Sequence, residues 1–118
     1  MNKISDYKNI ELWQKGIEIV KIIYENTKNF PSEEKFGLAM QMQRAAVSIP
    51  SNIAEGFRRR YNKEFKQFLH IALGSSAELE TQIIISKELG YINEEGKKAL
   101  FELTDHLGRM LTNFIKRL

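Results

Sequence analysis

The sequence has no cysteine, only two prolines and no long apolar run among its 118 residues. The absence of cysteine excludes a disulfide scaffold, a thiolate metal site and a cysteine nucleophile. No stretch approaches the roughly 18–20 consecutive apolar residues that a membrane-spanning helix needs. Residues 1–8 also lack the apolar core of a secretory signal, and we therefore expect a cytoplasmic protein with no membrane partner.

The motifs of common catalytic sites are absent as well. The sequence contains no P-loop, no GxGxxG and no GxSxG. Its two histidines, His70 and His106, belong neither to an HExxH motif nor to the repeated ExxH pairs of di-iron bundles. Glu78 and Glu80 are predicted to point to different faces of one helix, which leaves no carboxylate pair for acid–base chemistry. We therefore expect no enzyme activity, no metal and no cofactor.

The positive charge of the chain is small but locally concentrated. A length of 118 residues matches one domain, which we assign to residues 1–118. The net charge is +3, from 18 lysines and arginines against 15 aspartates and glutamates. The excess lies in residues 57–66, where Glu64 is the one carboxylate among five cations: Arg58, Arg59, Arg60, Lys63 and Lys66. Such a patch permits polyanion binding without requiring it.

Apolar residues recur at helical spacings of three and four along nearly the whole chain. This pattern predicts four helices, running from about Ile10 to Thr27, Glu33 to Arg58, Asn62 to Leu89, and Asn93 to the last residue. Ser32, Asn62 and Asn93 are the expected N-caps, and Gly90 is expected just beyond the third helix. Four long helices with such short connections predict an all-α, antiparallel up-down-up-down four-helix bundle.

Several helices carry more apolar residues than one buried stripe can use. In the first helix the expected buried stripe is Ile10, Trp13, Ile17, Val20 and Tyr24, and it is widened by Leu12, Ile19 and Ile23. A bundle helix buries an arc of about 100°. The residues outside the main stripes of the later helices are Leu73, Ile84, Ile85, Phe101, Leu111 and Ile115. We expect this surplus to form contacts between the subunits of a homo-oligomer.

The most specific segment is residues 43–60, which have a helical pattern although Pro50 stands among them. If the helix continues through Pro50 with a kink, four polar side chains share one stripe: Arg44, Ser48, Asn52 and Glu55. Because buried polar groups must satisfy one another, we expect a structural network that fixes the second helix against the third. Glu78 or Glu80 is positioned to meet Arg44 there. A ligand pocket lined by the same groups is the alternative.

Motifs spread over the chain resemble those of one bacterial family. They are Leu12-Trp13-Gln14-Lys15, the segment from Gln43 to Gly56, Phe65…Phe68-Leu69…Ala72…Gly74-Ser75…Glu78-Leu79-Glu80-Thr81, and Leu89-Gly90-Tyr91-Ile92. Together they resemble the four-helix-bundle family whose founders are encoded in intervening sequences of large-subunit ribosomal RNA genes. That family is similar to the accessory variability protein of diversity-generating retroelements.

The resemblance implies an antiparallel four-helix bundle that assembles into a homo-oligomeric ring, a homopentamer. It implies no known enzyme activity. By analogy with the retroelement protein, it implies binding of RNA or DNA and of a reverse transcriptase or another protein. Because function resides in sites rather than in folds, the residues themselves have to support such a role.

Two interpretations of the basic cluster therefore stand side by side. In the first, Arg58, Arg59, Arg60, Lys63 and Lys66 bind nucleic-acid phosphates, Tyr61 and Phe57 add base stacking, and Lys116 and Arg117 extend the site. In the second, the cluster only keeps the protein soluble, and the protein is an interaction scaffold with no nucleic-acid role. We expect the first, a non-enzymatic nucleic-acid or ribonucleoprotein accessory module.

Overall fold

A computed structural model describes residues 6–118. Within this range the chain forms no β-strand and four helices: α1 (Glu11–Thr27), α2 (Leu38–Phe57), α3 (Asn62–Glu88) and α4 (Glu94–Lys116). Short 3-10 turns precede α1 at Tyr7–Asn9 and α2 at Ser32–Glu34. The expected absence of a secretory signal depends partly on residues 1–5, which lie outside the described range.

Contacts between side chains show that α2 and α3 are antiparallel. Ser48 on α2 hydrogen-bonds Ser75 on α3 with their hydroxyl oxygens 2.8 Å apart. Six residues earlier on α2, Met42 accepts a hydrogen bond from Ser86, which lies eleven residues later on α3. Residue numbers therefore rise along α3 as they fall along α2, as the sequence predicts.

The other neighbouring helices are related in the same way. At one end of the α1–α2 pair the Gln43 amide donates to the Thr27 hydroxyl, and near the other end Pro50 packs against Gly16. The α3–α4 pair is joined by the Ser76 hydroxyl, which donates to the Thr104 carbonyl. In the described part of the chain, α1 also contacts α4, whereas no Cα atoms of the diagonal pairs α1–α3 and α2–α4 lie within 8 Å of each other. This arrangement is a square, antiparallel four-helix bundle.

The core contains an unexpected face of α1. Leu12, Ile19 and Ile23 are fully buried, so the residues expected to widen the stripe form its centre. Four members of the expected stripe instead lie at its edge: Trp13, Ile17 and Val20 are half-buried and Tyr24 is exposed. The prediction for α1 was wrong because both sets have helical spacing, and periodicity alone cannot say which of two adjacent apolar arcs faces the core. An apolar face of α1 is therefore left beside α2.

The second helix begins five residues later than predicted. Ser32 does not cap it, because Ser32 to Glu34 form a 3-10 turn and α2 starts at Leu38. The Glu34 carboxylate accepts hydrogen bonds from the Leu38 backbone N–H at 3.1 Å and from the Tyr91 hydroxyl at 2.7 Å. Glu33 and Glu34, which were expected in the first turn of α2, therefore precede the helix, and the Glu34 carboxylate caps its first N–H group.

The remaining helix ends match the sequence more closely. The Asn93 side chain caps α4 by accepting from the Gly96 N–H at 2.7 Å, as predicted. Gly90 follows α3 with a φ of +81°, and the next N–H, that of Tyr91, returns to the Ser86 carbonyl. Asn62 is not a cap, because it is the first residue of α3 and Tyr61 occupies the cap position without a side-chain hydrogen bond. Pro50 lies inside α2, which continues to Phe57.

Candidate nucleic-acid interface

The basic cluster is presented by a tight turn between α2 and α3. The Arg58 N–H donates to the Ala54 carbonyl at 3.2 Å, and the Arg59 N–H donates to the Gly56 carbonyl at 3.0 Å, which closes the end of α2. The chain then becomes extended at Tyr61 and enters α3 at Asn62. Three consecutive arginines therefore lie at the outside of the turn, and all three are exposed.

Aromatic packing beneath the turn fixes its position. The Phe57 and Phe65 rings meet edge to face with their centroids 6.0 Å apart, and Phe65 meets Phe114 of α4 in the same way at 5.7 Å. Edge-to-face pairs add a directional attraction to the burial of the rings. The contact with Phe114 places the last turn of α4, with Lys116 and Arg117, at the same end of the bundle as the arginines.

Arg59 is the most constrained of the three arginines. Its guanidinium carbon lies 4.7 Å from the centroid of the Phe68 ring, and its Nη2 lies 3.3 Å from a carboxylate oxygen of Glu55. Stacking on the ring restricts the side chain without covering the whole guanidinium, which keeps donors free to meet a phosphate.

Aromatic rings also support the other two arginines of the turn. Arg58 lies 5.4 Å from the centroid of the Tyr7 ring, and Arg60 lies 5.6 Å from that of Tyr61. Tyr61 is itself 60% exposed. An exposed ring beside a guanidinium is the combination on which unpaired bases stack in single-strand binding proteins.

Seven cations meet at this end of the molecule, which we call the basic end: Arg58, Arg59, Arg60, Lys63, Lys66, Lys116 and Arg117. Arg117 also lies over an aromatic ring, 5.8 Å from the centroid of Phe114. Among the ion pairs of residues 6–118, only that between Arg59 and Glu55 involves one of the seven. With so few carboxylate partners, the basic end projects a positive potential into solvent.

The predicted polar network exists only in part. Asn52 donates to the Ser48 carbonyl at 2.7 Å and lies 2.9 Å from the Ser48 hydroxyl, which in turn bonds Ser75 across the helix pair. Ser75 was missed as a member of the network, although the small residues around it indicated a close approach of α3 to α2. Since these groups satisfy one another, they are well suited to fixing the register of the two helices.

Three other residues expected in the network lie outside it. Arg44, Glu55 and Glu78 are exposed. Glu55 pairs with Arg59, and Glu78 accepts a hydrogen bond from Gln82 at 3.2 Å. The prediction of a buried Arg44–Glu78 contact was wrong because long side chains at the edge of a helix stripe reach water at little cost, whereas Ser48 and Asn52 are too short to do so.

The histidines and carboxylates of residues 6–118 do not form a metal-binding cluster. His70 and His106 are both exposed, and no group of three metal-ligating side chains converges. Burial raises the pKa of Glu80, and the nearby Asp105 carboxylate adds to the effect. Glu80 lies in an open groove between α3 and α4, where Asp105 pairs with Arg109 at 2.8 Å. In the same range, no helix is both long enough and apolar enough to cross a bilayer.

The apolar surplus is distributed differently from the prediction. Ile84 and Ile85 are exposed, Leu73 and Ile115 are half-buried against the core, and Phe101 is half-buried. Leu111 is completely buried, so its assignment to a subunit contact was wrong. The sequence analysis did not assign four further exposed apolar residues to a subunit contact: Phe36, Val47, Ile71 and Leu89. The sequence could have indicated them, because they are apolar residues that lie in a connection or outside the buried stripe of a helix.

Comparison with known proteins agrees with this fold. A crystal structure of a protein of unknown function from the S23 ribosomal protein family of Bacteroides thetaiotaomicron superposes with a TM-score of 0.80. The alignment covers 89% of this chain and 98% of that one, at 24% sequence identity, and therefore supports the fold alone. No curated protein matches the sequence. The family model described as "23S rRNA-intervening sequence protein" matches residues 8–113. The chain thus belongs to the 23S rRNA-intervening sequence protein family.

Proposed function

We propose that this protein is a non-enzymatic nucleic-acid or ribonucleoprotein accessory module that binds RNA or DNA through its basic end. The observation that carries the proposal is the concentration of seven cations at one end, four of them arginines lying over aromatic rings. A surface needed only for solubility has no reason to place its guanidinium groups in this way. The family name, which refers to ribosomal RNA genes, is consistent with such a role.

The chemistry of the basic end matches that of a phosphate backbone. A guanidinium can donate two parallel hydrogen bonds to one phosphate, and each neutralised phosphate releases counterions. Binding should therefore weaken steeply as the salt concentration rises. The exposed Tyr61 ring adds a surface for an unpaired base, so single-stranded segments and loops are the expected targets.

One basic end is a weak site, and the proposal includes its repetition. We propose a homo-oligomeric ring, a homopentamer by resemblance, in which every subunit presents its basic end to the same nucleic acid. Linking sites in this way can raise the overall affinity by roughly 10²–10⁴ without a new contact. The kink expected at Pro50 belongs to the same proposal, since it would shape the outer face of α2. The proposed location is the cytoplasm, and a reverse transcriptase is a possible protein partner.

A protein-interaction scaffold without a nucleic-acid role is the second candidate. Exposed apolar side chains favour it, because Phe36 is 78% exposed and Leu89 is 55% exposed. Apolar groups in such numbers on a small protein indicate a protein contact. In this case the arginines serve solubility, and a mixed oligomer or a bound protein covers the apolar surface.

Salt-dependent retention on immobilised RNA and DNA separates the two candidates. The test variant changes Arg58, Arg59 and Arg60 to Gln. The matched control changes Lys87, Lys97 and Lys98, at the opposite end of the bundle, to Gln. Both variants lose three positive charges, so any difference between them reports where on the molecule the nucleic acid binds.

Retention of the wild type at low salt, loss of retention in the arginine variant and unchanged retention of the lysine control support the proposal. Circular dichroism and light scattering of the arginine variant show whether its fold and its oligomer persist. Equal retention of all three proteins, or no retention of the wild type even at low salt, rejects the basic end as a nucleic-acid site and leaves the scaffold.

A further inference from the structure

Three adjoining depressions lie along the outer face of the α1–α2 pair, and together we call them the α1–α2 groove. Near the α1–α2 connection it has a volume of about 470 Å³ and is lined by Tyr24, Phe36 and Met40 among others. Tyr24 and Met40 continue into its middle part, which also includes Arg44 and Val47. Val47 then leads to the last part, which is lined by Tyr7, Trp13, Ile17, Val20, Pro50, Ser51 and Ala54. The groove therefore extends along most of the bundle.

A matching apolar stripe lies on α3. Ile71, Ile85 and Leu89 are 51%, 40% and 55% exposed, respectively. With 3.6 residues per turn, these three residues and Glu78 fall within about 40° of one another around the helix axis. Ile84 points to the other side of α3, toward α4, and is not part of the stripe. The stripe has isoleucines on either side of one carboxylate.

We propose that the α3 stripe of one chain occupies the α1–α2 groove of a second copy, so that each chain contacts its two neighbours through two different surfaces. The inference rests on the homo-oligomer proposed above but not on nucleic-acid binding. The two surfaces are different and complementary, one a groove and the other a ridge. Such a heterologous contact repeats from copy to copy, because each chain offers both surfaces.

The register of the two surfaces supports this pairing. Within one chain, Ser75 lies beside Ser48 and Ser86 beside Met42, which gives the level of α3 residues relative to α2. If neighbouring chains stand side by side with their axes parallel, Ile71 meets the groove near Ser51 and Ala54. Ile85 and Leu89 then meet it on either side of Met40, with Phe36 beyond them. Apolar residues thus face apolar residues at both ends.

Charge complementarity falls at the centre of the same register. Glu78 of one copy lies within about one helical turn of Arg44 of the next, which long side chains can span. No ion pair formed by residues 6–118 involves either side chain, although both are exposed within one chain. Both were expected to be satisfied by a buried network, and a contact between copies supplies each with an opposite charge. Near the α1–α2 connection, Lys28 and Lys35 line the groove, where they are placed to meet Glu88 of the neighbouring copy.

The positions of the two surfaces favour a closed ring over a filament. The groove is on the α1–α2 side of a square bundle and the stripe borders the adjacent α2–α3 side. The two contact directions therefore diverge by roughly a right angle instead of pointing in opposite directions, so repetition closes after a small number of copies. With parallel axes, every basic end lies on the same rim of the ring.

Disulfide trapping tests the interface directly, because the chain has no cysteine of its own. The variant Ile17→Cys and Ile71→Cys places one thiol in the groove and one on the stripe. Because no Cα atom of α1 lies within 8 Å of one in α3, these thiols cannot pair within a chain. We expect mild oxidation to give a ladder of covalently linked chains. The two single variants should stay unlinked, and an equal mixture of them should give linked dimers only.

The outcomes are distinct. Dimers from Ile71→Cys alone would indicate that two α3 stripes pack together, which overturns the proposal. An oligomer in light scattering that forms no disulfide in the double variant rejects this interface and leaves the ring intact. A monomer rejects both the interface and the ring. Nucleic acid is absent throughout, so failure of the basic end to bind it has no effect on the result.

Charge reversal provides a second measurement in chains that carry no thiol. Arg44→Glu and Glu78→Arg should each weaken assembly by about tenfold or more in dilution experiments, because each places like charges together. The double variant restores opposite charges and should recover most of the loss. Glu18→Arg, which reverses an exposed carboxylate on α1 outside both surfaces, should leave assembly unchanged. A double variant no better than the single ones would contradict the proposed register.

Discussion

The two ends of this 49 Å bundle are built differently. The basic end has seven cations, of which only Arg59 forms an ion pair within residues 6–118, and a group of aromatic rings lies beneath its turn. We call the opposite end, residues 28–38 and 87–98, the tied end. There Lys87 and Lys97 pair with Glu94 at 3.7 and 3.3 Å, and Tyr91 joins the two connections by packing on Phe30 and bonding Glu34.

This difference separates stability from recognition. At the tied end several charged groups are paired within the chain: Glu34 with Tyr91, and Lys87 and Lys97 with Glu94. At the basic end apolar packing holds the turn from inside, and the charges outside it make few internal contacts. Charges that contribute little to folding can be selected for binding without loss of the fold, which is the arrangement that a phosphate-binding surface needs.

The largest expected effect concerns packing at the basic end. Phe65 is only 8% exposed and contacts the rings of Phe57 and Phe114. Phe65→Ala should lower the free energy of unfolding by about 3–5 kcal/mol, measured by urea denaturation. Neutralising the three exposed arginines of the turn should cost less than about 1 kcal/mol. If the arginine variant were the less stable of the two, the separation of packing from charge at this end would be wrong.

A smaller effect tests how closely α2 and α3 approach at the same end. A Cβ atom on Gly56 would lie 2.7 Å from the Phe68 Cβ and 2.9 Å from a Phe65 ring carbon. Gly56→Ala should therefore destabilise the fold by about 1–3 kcal/mol, because the helices must move apart. Gly74→Ala is the matched control, since nothing lies within 4 Å of its added Cβ. This control should stabilise α3 by about 0.5–1 kcal/mol, and equal losses in both variants would contradict the close approach.

Most of the fold was predictable, because it depends on local patterns. Three helices begin and end within about two residues of their predicted bounds. The helix ends at Gly90 and Asn93 follow from residue type, because glycine adopts a positive φ and the asparagine side chain accepts from a free N–H group. The start of α2 was not predictable in this way. It depends on Glu34 meeting Tyr91, a residue 57 positions away, and no local pattern carries that information.

The candidate site was predictable in composition more than in geometry. The sequence places five cations in ten residues, but only the fold brings Phe114 against Phe65 and so adds Lys116 and Arg117 to them. The rings beneath the arginines come from α3, α4 and the 3-10 turn that precedes α1. The exposed face of α1 was missed because helical periodicity does not distinguish the core from a second apolar contact.

The smallest expected effect lies at the tied end and depends on pH. Hydrogen bonds from the Tyr91 hydroxyl and the Leu38 N–H lower the pKa of Glu34 below its usual value of 4.5. The stabilisation by the ionised carboxylate is therefore complete above about pH 4.5, and it is lost as the pH falls through the lower pKa of the folded state. Tyr91→Phe removes one of these bonds and should lower the Tm by a few degrees at pH 7.

The difference in Tm between wild type and Tyr91→Phe should then shrink as the solution becomes more acidic than pH 4.5, because protonation of Glu34 removes its charge in both proteins. The bond to Glu34 also raises the pKa of Tyr91 above 10, so this contribution should fade again only when the pH passes that higher value. Tyr61→Phe is the control, since Tyr61 is an exposed tyrosine at the basic end. A difference in Tm that persists unchanged at pH 3 would mean that Tyr91 acts there through its ring on Phe30, and that the two ends are both held by packing.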